Sequence, residues 1–349
     1  MPSLLRSRLP LALLLVLSAS GYACTPATAP AGPGTPTPAG PAASGDVFTV
    51  QPPPVFRTQG VRVAVLNTEF LFDGEEPDGS ADFPWKNNPQ AAMAHMTRIG
   101  EVIRMLQADV VVLEEVENRA VLERLVAGPL EGMGYLPYLV PGKDTFTRQN
   151  VALLSKVPVT ETGRTDDRAP TGNGNDTYGV SKNMWARLTL AGVPTTIVAV
   201  HYLAIPDNAE RKPQREAQAE VTRRLAEQEL AAGRAVIVTG DFNDFDPVIL
   251  DRRGNRPITS VLATVKRAGP GADDDLHNVL GDVPQAERFT NFYDRNNNGI
   301  INEGELSAID HLLVSPALRR KITEVRYVHS HDPRLVTDHF PIVVTFRPN

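Results

Sequence analysis

Cysteine is nearly absent from the chain, because Cys24 is the only one among 349 residues. No intrachain disulfide can therefore form, which excludes a disulfide-stapled fold. Long apolar runs are also missing. Beyond residue 23, no run is long enough to cross a bilayer as a helix. Hydrophobic residues at 42% and charged residues at 22% are instead typical of a globular protein.

An excess of positive charge is missing as well. Lys and Arg total 35 against 41 Asp and Glu, which gives a net charge of −6. Removal of the first 23 residues would delete Arg6 and Arg8 and no acid, so the net charge would become −8 (−6 minus 2). A broad basic surface for gripping nucleic acid is therefore not expected. An enzyme acting on nucleic acid is not excluded, because a metal centre can supply local positive charge.

Residues 1–23 have the pattern of an export signal. Arg6 and Arg8 form a positive start, residues 9–17 are apolar, and small residues follow at 18–21. A buried helix is the alternative, but the polar, Pro-rich stretch that follows at once disfavours it. The sequence therefore predicts an exported protein.

Cys24 follows Ala23 at the place where a bacterial lipoprotein signal carries its lipidated cysteine. Gly21 and Tyr22 depart from the usual residues before such a cysteine. Two alternatives stay open: lipidation of Cys24, which would tether the protein to the cell envelope, and ordinary secretion.

Residues 24–54 contain nine of the 30 prolines, mixed with Ala, Gly and Thr. Such a segment has too little apolar surface to pack, so it is predicted to be a flexible linker. Residues 55–349 are predicted to form one α/β catalytic domain. Hydrophobic periodicity predicts helices at 89–107, 119–130 and 209–230, and strands at 61–66, 109–113, 149–154, 184–190, 195–201, 235–240, 309–314, 322–328 and 340–346.

Acids, amides and imidazoles directly follow the apolar strands in five places. These are NTEFLFDG at 67–74, LEEVEN at 113–118, His201, GDFND at 240–244, and the pair IDHLLVS at 309–315 and TDHFPIVV at 337–344. Each segment alone is weak evidence, since an Asp after a strand more often caps a turn. Loops at strand ends are nevertheless where catalytic groups are usually displayed.

Taken together and in this order, the segments resemble the endonuclease/exonuclease/phosphatase superfamily, in its deoxyribonuclease I-like form. The resemblance covers about 61–346, and GDFN and DHFP are its most specific motifs. It implies a four-layer α/β sandwich, with two packed mixed β-sheets, outer helices and active-site loops along one edge. It also implies a metal-dependent phosphodiester hydrolase, which the predicted export signal at 1–23 would make an exported, bacterial-type member.

The resemblance implies a catalytic Mg²⁺ or Mn²⁺, a hard cation that would neutralise charge on the phosphoryl oxygens. Glu115 matches the family's metal-binding glutamate, Asn67 its first-strand asparagine and Asp338 a further acidic ligand. Glu69 matches a second acidic ligand of some relatives, or is a solvated loop acid. Glu114 is expected to point away from the site, because successive side chains of a strand alternate between its faces.

The remaining matches are catalytic. Asp241 would orient and deprotonate the attacking water, and Asn243 would donate a hydrogen bond to a phosphoryl oxygen. Asp310 and His339 would form a carboxylate–imidazole pair, in which the carboxylate raises the basicity of the imidazole. His201 would contact the phosphate or the leaving group.

Residues 294–305, DRNNNGIINEGE, fit a twelve-residue calcium-loop pattern without a mismatch. Gly299 stands at the sixth position, where the chain turns sharply, and the preceding RFTNFY reads as a strand rather than a helix. We therefore expect an isolated structural Ca²⁺ loop inserted in the catalytic domain, with a polar turn as the alternative. The predicted ligands are Asp294, Asn296, Asn298, Ile300 through its carbonyl, Asn302 and Glu305.

The leading interpretation is a nuclease, with a lipid phosphodiesterase or a phosphatase of the same superfamily as the alternative. A non-catalytic surface-binding module is disfavoured, because none of the main matched positions is lost. The expected partner is a phosphodiester substrate, nucleic acid first, and no protein partner is predicted. Arg211, Lys212 and Arg215 could contact a nucleic-acid backbone or form a solvated helix start.

Overall fold

A computed structural model describes residues 47–75, 79–172, 174, 176–269 and 271–348. The predicted export signal at 1–23, Cys24 and positions 24–46 of the predicted linker lie outside the described residues. None of the described helices is both long and apolar enough to cross a membrane.

The described chain contains sixteen strands, five α-helices and four 3-10 helices. The strands are β1 (Val61–Leu71), β2 (Val110–Val116), β3 (Leu136–Leu139), β4 (Asn150–Ser155), β5 (Val159–Gly163), β6 (Ala169–Pro170), β7 (Thr177–Tyr178), β8 (Lys182–Leu190), β9 (Val193–His201), β10 (Ala235–Asp241), β11 (His277–Asn278), β12 (Asn291–Phe292), β13 (Leu306–Ser307), β14 (Asp310–Val314), β15 (Ile322–Tyr327) and β16 (Ile342–Phe346). The α-helices are α1 (Pro89–Leu106), α2 (Arg119–Ala127), α3 (Arg211–Ala231), α4 (Val261–Lys266) and α5 (Pro316–Arg319). The 3-10 helices are Ala272–Asp274, Val279–Asp282, Gln285–Glu287 and Glu303–Glu305.

Two six-stranded sheets form the centre of the domain. The first has the order β15-β16-β1-β2-β4-β3 and the second β11-β14-β10-β9-β8-β5. Both sheets are mixed, because β1 pairs with β2 and β9 with β10 in parallel, while their other pairings are antiparallel. The carboxyl ends of parallel partners meet at one sheet edge, where loops can display functional groups.

Alternating strand residues divide the core into layers. Val63 and Val112 of the first sheet and Ile237 of the second belong to one buried apolar cluster between the sheets. Side chains on the other face of the first sheet pack against α1 and α2, and those of the second against α3 and α4. This arrangement of helix, sheet, sheet and helix confirms the predicted four-layer α/β sandwich.

The domain begins earlier than the sequence suggests. The Val47 N–H donates to the Ile301 carbonyl at 3.0 Å, and the Gln51 N–H donates to the His329 carbonyl at 2.8 Å. The Phe48 ring packs against Phe289 and Phe340, with centroid distances of 6.3 and 5.3 Å. Contacts therefore start eight residues before the predicted boundary at 55, which corrects that boundary. An aromatic side chain gives this stretch the apolar surface that the rest of the linker lacks.

Candidate active site

Three functional side chains lie side by side on the second sheet. In the register of its central strands, Asp241 of β10 stands opposite His201 of β9 on one side and opposite Asp310 of β14 on the other. All three side chains are buried. The strand pairing alone therefore brings together three of the residues that the sequence predicts to be catalytic.

Asp310 and His339 form the predicted carboxylate–imidazole pair, with 2.7 Å between Oδ2 and Nδ1. Burial would lower the pKa of His339, but the negative charges of Asp310 and Asp338 more than offset it and raise that pKa well above its ordinary value. Thr290 fixes the carboxylate's strand, because its hydroxyl accepts the Asp310 N–H at 3.1 Å. The imidazole of His339 is thus held in one orientation by its bond to the Asp310 carboxylate.

The four predicted metal ligands come together at the end of the first sheet. Asn67 Nδ2 donates to Glu115 Oε1 at 3.2 Å and, across to the second sheet, to Asp241 Oδ2 at 3.4 Å. The Asp338 N–H donates to Glu69 Oε2 at 3.2 Å. This contact supports the reading of Glu69 as part of the site over that of a solvated loop acid.

The backbone leaves regular strand geometry where it carries these acids. Glu69, Phe70 and Glu115 have φ values of 49°, 56° and 62°, in the left-handed region that costs non-glycine residues of order 1 kcal/mol or more. The register between β1 and β2 also shifts between Asn67 and Leu71. Such local strain turns side chains toward the edge of the sheet rather than toward its faces.

Negative charge is concentrated at this edge. Burial, together with the charges of Asp338 and Glu115, raises the pKa of Glu69 to about 8. Burial and the charge of Asp310 raise the pKa of Asp241 to about 7. Burial is also the main cause of the raised pKa values of Glu115 and Asp338. Crowded acids of this kind are stable in their ionised form only beside a compensating cation.

The donor set fits a hard divalent cation. One ligand atom each from Asp241, Asp310 and His339 lie within 4.8 Å of one another, next to the carboxylates of Glu115 and Glu69. Carboxylate oxygens predominate, which suits Mg²⁺ or Mn²⁺. The compact group differs from the predicted ligand set, since the sequence assigned its three residues to proton transfer.

His201 lies close to Glu115 and Asp241. Its Nε2 is 3.8 Å from Glu115 Oε1 and 3.7 Å from Asp241 Oδ2. Burial and the neighbouring Lys182 and His339 cations lower its pKa well below the ordinary value. His201 is therefore a neutral imidazole in this environment.

Lys182 is a site residue that the sequence analysis missed. It pairs with His201 in the register of β8 and β9, is buried, and donates from Nζ to Gln149 Oε1 at 3.0 Å. Burial lowers its pKa, while the charges of Glu115, Asp144 and Asp241 oppose that shift. A lysine just before the predicted strand at 184–190 was the available signal.

Asn243 is held directly beside Asp241. Its N–H donates to Asp241 Oδ1 at 2.8 Å, and its Nδ2 donates to the Tyr202 carbonyl at 3.4 Å. The preceding Gly240 is required by close packing, because a Cβ there would lie 1.8 Å from the Val200 carbonyl oxygen. The GDFN motif thus combines a backbone that only glycine permits with two buried polar groups.

Glu114 does not point away from the site as expected. It is fully buried, neither of its carboxylate oxygens has a hydrogen-bond partner among the described residues, and burial followed by the charges of Asp310 and Asp241 raises its pKa well above the ordinary value. The register shift between Leu113 and Val116 in β2 breaks the alternation on which the expectation rested. Glu114 therefore lies close to Asp241 and Asp310 as a neutral carboxylic acid.

Asn291 was also missed. Its Nδ2 lies 3.2 Å from His339 Nε2, on the side of the imidazole opposite Asp310. It belongs to β12, whose antiparallel partner is β13, and these two strands flank residues 294–305. The segment before the predicted calcium loop is thus a short strand, as expected, and it contacts His339, which the sequence predicts to be catalytic.

The predicted calcium loop is a compact turn. Asp294 accepts the N–H groups of Asn298 and Gly299 at 3.1 and 2.8 Å. Asn302 Nδ2 donates to the Ile300 carbonyl and to Glu305 Oε2, both at 3.2 Å. Two further side-chain oxygens accept hydrogen bonds from the loop backbone. Asn296 Oδ1 accepts the Asn298 N–H, and Asn298 Oδ1 accepts the Ile300 N–H.

The predicted basic segment divides into different roles. Arg215 is fully buried and donates to the Pro206 carbonyl at 2.7 Å, so it supports the loop after β9 instead of facing a substrate. Arg211 donates to the Ala204 carbonyl at 2.8 Å. His311, the residue after Asp310, is buried and bonded to the Asp244 carbonyl at 2.9 Å.

Comparison with known proteins gives one family match. The model of the Endonuclease/Exonuclease/phosphatase family matches residues 65–339, a range that includes every predicted catalytic and metal-binding residue. The comparison with curated proteins found no match.

Several solved structures share the fold. A 3′ phosphatase from Neisseria, NExo, bound to a product DNA hairpin, is 16% identical with a TM-score of 0.53, and the match covers 82% of this chain and 99% of that one. An endonuclease/exonuclease/phosphatase from Bacteroides vulgatus is 17% identical with a TM-score of 0.55, covering 84% and 100%. An AP endonuclease from Archaeoglobus fulgidus is 15% identical with a TM-score of 0.52, covering 82% and 99%.

Proposed function

The chain belongs to the endonuclease/exonuclease/phosphatase family, and we propose that it is a divalent-metal-dependent phosphodiester hydrolase that acts on nucleic acid. Members of this family are hydrolases that act on phosphodiesters. The observation that carries the proposal is the meeting of Asn67 and Glu115 from one sheet with Asp241, Asp310 and His339 at the same edge.

Glu115, Asn67, Glu69 and Asp338 would hold a Mg²⁺ or Mn²⁺, with Asp241 and Asp310 close enough to contribute. When bound, such a cation supplies positive charge to the phosphoryl oxygens as negative charge develops on them. The raised pKa values of Glu69 and Asp241 support this assignment, because a cation would relieve the repulsion that causes them.

The chain's own residues would divide the remaining work. Asp241 Oδ2 accepts the proton of the attacking water, and its Oδ1 stays bonded to the Asn243 N–H. Asn243 turns its amide to a non-bridging phosphoryl oxygen, an oxyanion-hole contact. Asp310 holds His339 in place, so that its imidazole contacts the phosphate.

His201 and Lys182 would act on the opposite side of Asp241. The neutral His201 can donate one hydrogen bond without adding a positive charge that would compete with the metal ion for the acidic side chains. Lys182 provides a buried positive charge near Glu115 and Asp241, which stabilises an anionic phosphate at this position.

Nucleic acid is the proposed substrate class because two of the structural neighbours are DNA-processing proteins, one of them bound to a DNA product. The alternative, a lipid phosphodiesterase or phosphatase, belongs to the same family. Export remains part of the proposal on the pattern of residues 1–23, and extracellular nucleic acid would then be the substrate.

A structural Ca²⁺ at residues 294–305 completes the proposal. The sequence pattern supplies the argument for this ion. The structure adds a route for its effect, because the loop closes the hairpin of β12 and β13 and Asn291 of that hairpin contacts His339. Calcium would thus stabilise the hairpin without replacing the catalytic metal.

A substrate panel tests the proposal. Single-stranded and duplex DNA, RNA, sphingomyelin and a small generic phosphodiester are assayed with Mg²⁺, with Mn²⁺ and with EDTA. We expect metal-dependent cleavage of nucleic acid and of the small phosphodiester. Cleavage of sphingomyelin alone would favour the lipid alternative, and cleavage of nothing in any metal would refute the hydrolase.

A further inference from the structure

Exposed apolar side chains gather around the candidate active site. Phe146 and Tyr293 are each 64% exposed, and Leu335 is 65% exposed. The three residues lie on loops next to β4, β12 and β16, all at the edge that carries Asn67 and Glu115. Large apolar side chains left in water beside a catalytic centre commonly mark a binding surface.

Two of these positions repeat one pattern, an aromatic residue followed two positions later by an arginine. Phe146 precedes Arg148 in the loop before β4, and Tyr293 precedes Arg295 in the loop after β12. Within the described ranges, the guanidinium group of neither arginine forms a hydrogen bond or an ion pair with the protein, although the backbone carbonyl of Arg148 accepts a hydrogen bond from Asn150. Each loop therefore offers a ring face together with a cation that no protein group neutralises.

The two loops lie on opposite sides of the catalytic groups. In the first sheet the strand order is β16-β1-β2-β4, so the loop before β4 lies beyond Glu115 of β2. The loop after β12 lies beside His339, which precedes β16, through the Asn291 contact. A chain molecule that touches both aromatic–arginine pairs must cross the catalytic groups between them.

A groove continues this path beside Glu69. It has a volume of about 460 Å³ and is lined in part by Trp85, Arg98 and Leu335. The Nε of Arg98 has no hydrogen-bond partner among the described residues. Arg334, on the same wall, donates to the Gly299 carbonyl at 2.6 Å, which ties the groove to the loop that carries Arg295.

We infer that this edge binds a single-stranded segment of nucleic acid, with bases stacked on Phe146 and Tyr293 and phosphates beside Arg148 and Arg295. The inference rests on the proposed function and narrows its substrate. Proteins that bind single strands combine exposed aromatic rings, on which bases stack, with cationic side chains that follow the backbone. Base faces are hidden inside a duplex, and a net charge of −6 does not favour wrapping one.

Binding is measured in the inactive Asp241→Asn protein, by fluorescence anisotropy with a labelled single-stranded oligodeoxynucleotide and with a hairpin duplex. Added to this background, Phe146→Ala or Tyr293→Ala should each weaken single-strand binding about tenfold and leave duplex binding little changed. Arg148→Ala or Arg295→Ala should each reduce the slope of log affinity against log salt by about 0.7.

Leu136→Ala and Arg267→Ala serve as matched controls, because both residues are exposed and lie away from the catalytic edge. They should change neither affinity nor slope, and melting temperatures confirm that every variant is folded. Equal losses for single strand and duplex, or unchanged binding in the folded aromatic variants, would overturn the inference. The same proteins are also tested for binding to phosphatidylserine vesicles. Aromatic variants that lose vesicle binding but keep single-strand binding would likewise overturn the inference.

A parallel assay separates the two proposals. Wild-type protein is tested with bis-p-nitrophenyl phosphate, a diester too small to reach both loops. If the diester is hydrolysed but the aromatic and arginine variants bind single strands like the parent, the single-strand inference fails and the hydrolase stands. If neither the diester nor nucleic acid is hydrolysed, the hydrolase fails, and anisotropy still decides the binding inference.

Discussion

Replacement of Asp241 by Asn should abolish hydrolysis and at the same time stabilise the metal-free protein. The side chain is buried and lies within 4.8 Å of ligand atoms of Asp310 and His339. Asn has the same shape, and its carbonyl can still accept the Asn243 N–H that Oδ1 accepts now. What the substitution removes is a negative charge that the metal-free fold accommodates poorly.

The pKa shift gives the size of the effect. A rise from 3.8 to about 7 corresponds to about 4 kcal/mol of unfavourable free energy at neutral or higher pH, at 1.36 kcal/mol per unit. Loss of the 3.4 Å bond from Asn67 costs about 1 kcal/mol. The net gain is about 3 kcal/mol, or about 5 °C in Tm for a domain of about 300 residues.

The sign of the pH dependence follows from the same shift. A raised pKa means that the fold disfavours the ionised carboxylate, so the cost is complete above about pH 7 and absent below the unfolded value of 3.8. The stability advantage of Asp241→Asn should therefore be largest above pH 7 and vanish toward pH 4.

The assay is thermal unfolding of both proteins in EDTA across this pH range, repeated with Mg²⁺. Magnesium should raise the Tm of the wild type more than that of the variant, because the cation compensates the negative charge of Asp241, which the variant lacks. A folded variant less stable than wild type in EDTA at pH 8 would refute the charge argument. Hydrolysis at near-wild-type rate would refute the role of Asp241 in catalysis.

Further predictions concern the rest of the site and the domain. Asn243→Ala should lower kcat by on the order of 10²-fold and lower the Tm slightly, because Ala loses the bond to Tyr202 and is strained at a φ of 50°, and a well-folded variant of normal rate would contradict its contact with the phosphoryl oxygen. EDTA should abolish hydrolysis and Glu115→Gln should raise the Mg²⁺ concentration required, whereas full activity in metal-free buffer would exclude a metal enzyme. Calcium should raise the wild-type Tm by ligand linkage but not that of Glu305→Ala, and a wild-type Tm indifferent to calcium would rule out the loop site. Burial lowers the pKa of His329 from 6.5 to about 4. The free energy of unfolding should therefore fall by about 3 kcal/mol as pH falls from 6.5 toward 4, because the unfolded chain binds a proton there that the folded chain does not. Urea unfolding of wild type and His329→Asn should show a shallower pH dependence in the variant over that range, and parallel curves would contradict it.

The fold and the neighbourhood of the site could be predicted because both depend on local patterns. Apolar strands followed at once by Asn67, Glu115, His201, Asp241 and a later Asp–His pair place polar groups at strand ends. Strand pairing then brings such ends to one edge. The structure has strands at each predicted place, with ends shifted by a few residues, as for β1, which continues to Leu71.

What could not be predicted depends on contacts between distant parts of the chain. Lys182 reaches the site because β8 pairs with β9, and Asn291 does so because its hairpin lies against His339. Glu114 was misplaced because strict alternation fails at a bulge, where Glu115 adopts a positive φ. Phe48 packs against a cluster assembled from residues about 240 to 290 positions later. No single-segment pattern carries this information.

The hydrogen bond from Asn67 to Asp241 joins the two sheets at the point where chemistry would occur. Each sheet supplies only part of the donor set, so an intermediate with one sheet folded and the other open would keep much of its secondary structure but have no complete site. Hydrolysis is then a more sensitive report of sheet docking than circular dichroism. During mild denaturation, activity should disappear before the far-ultraviolet signal does.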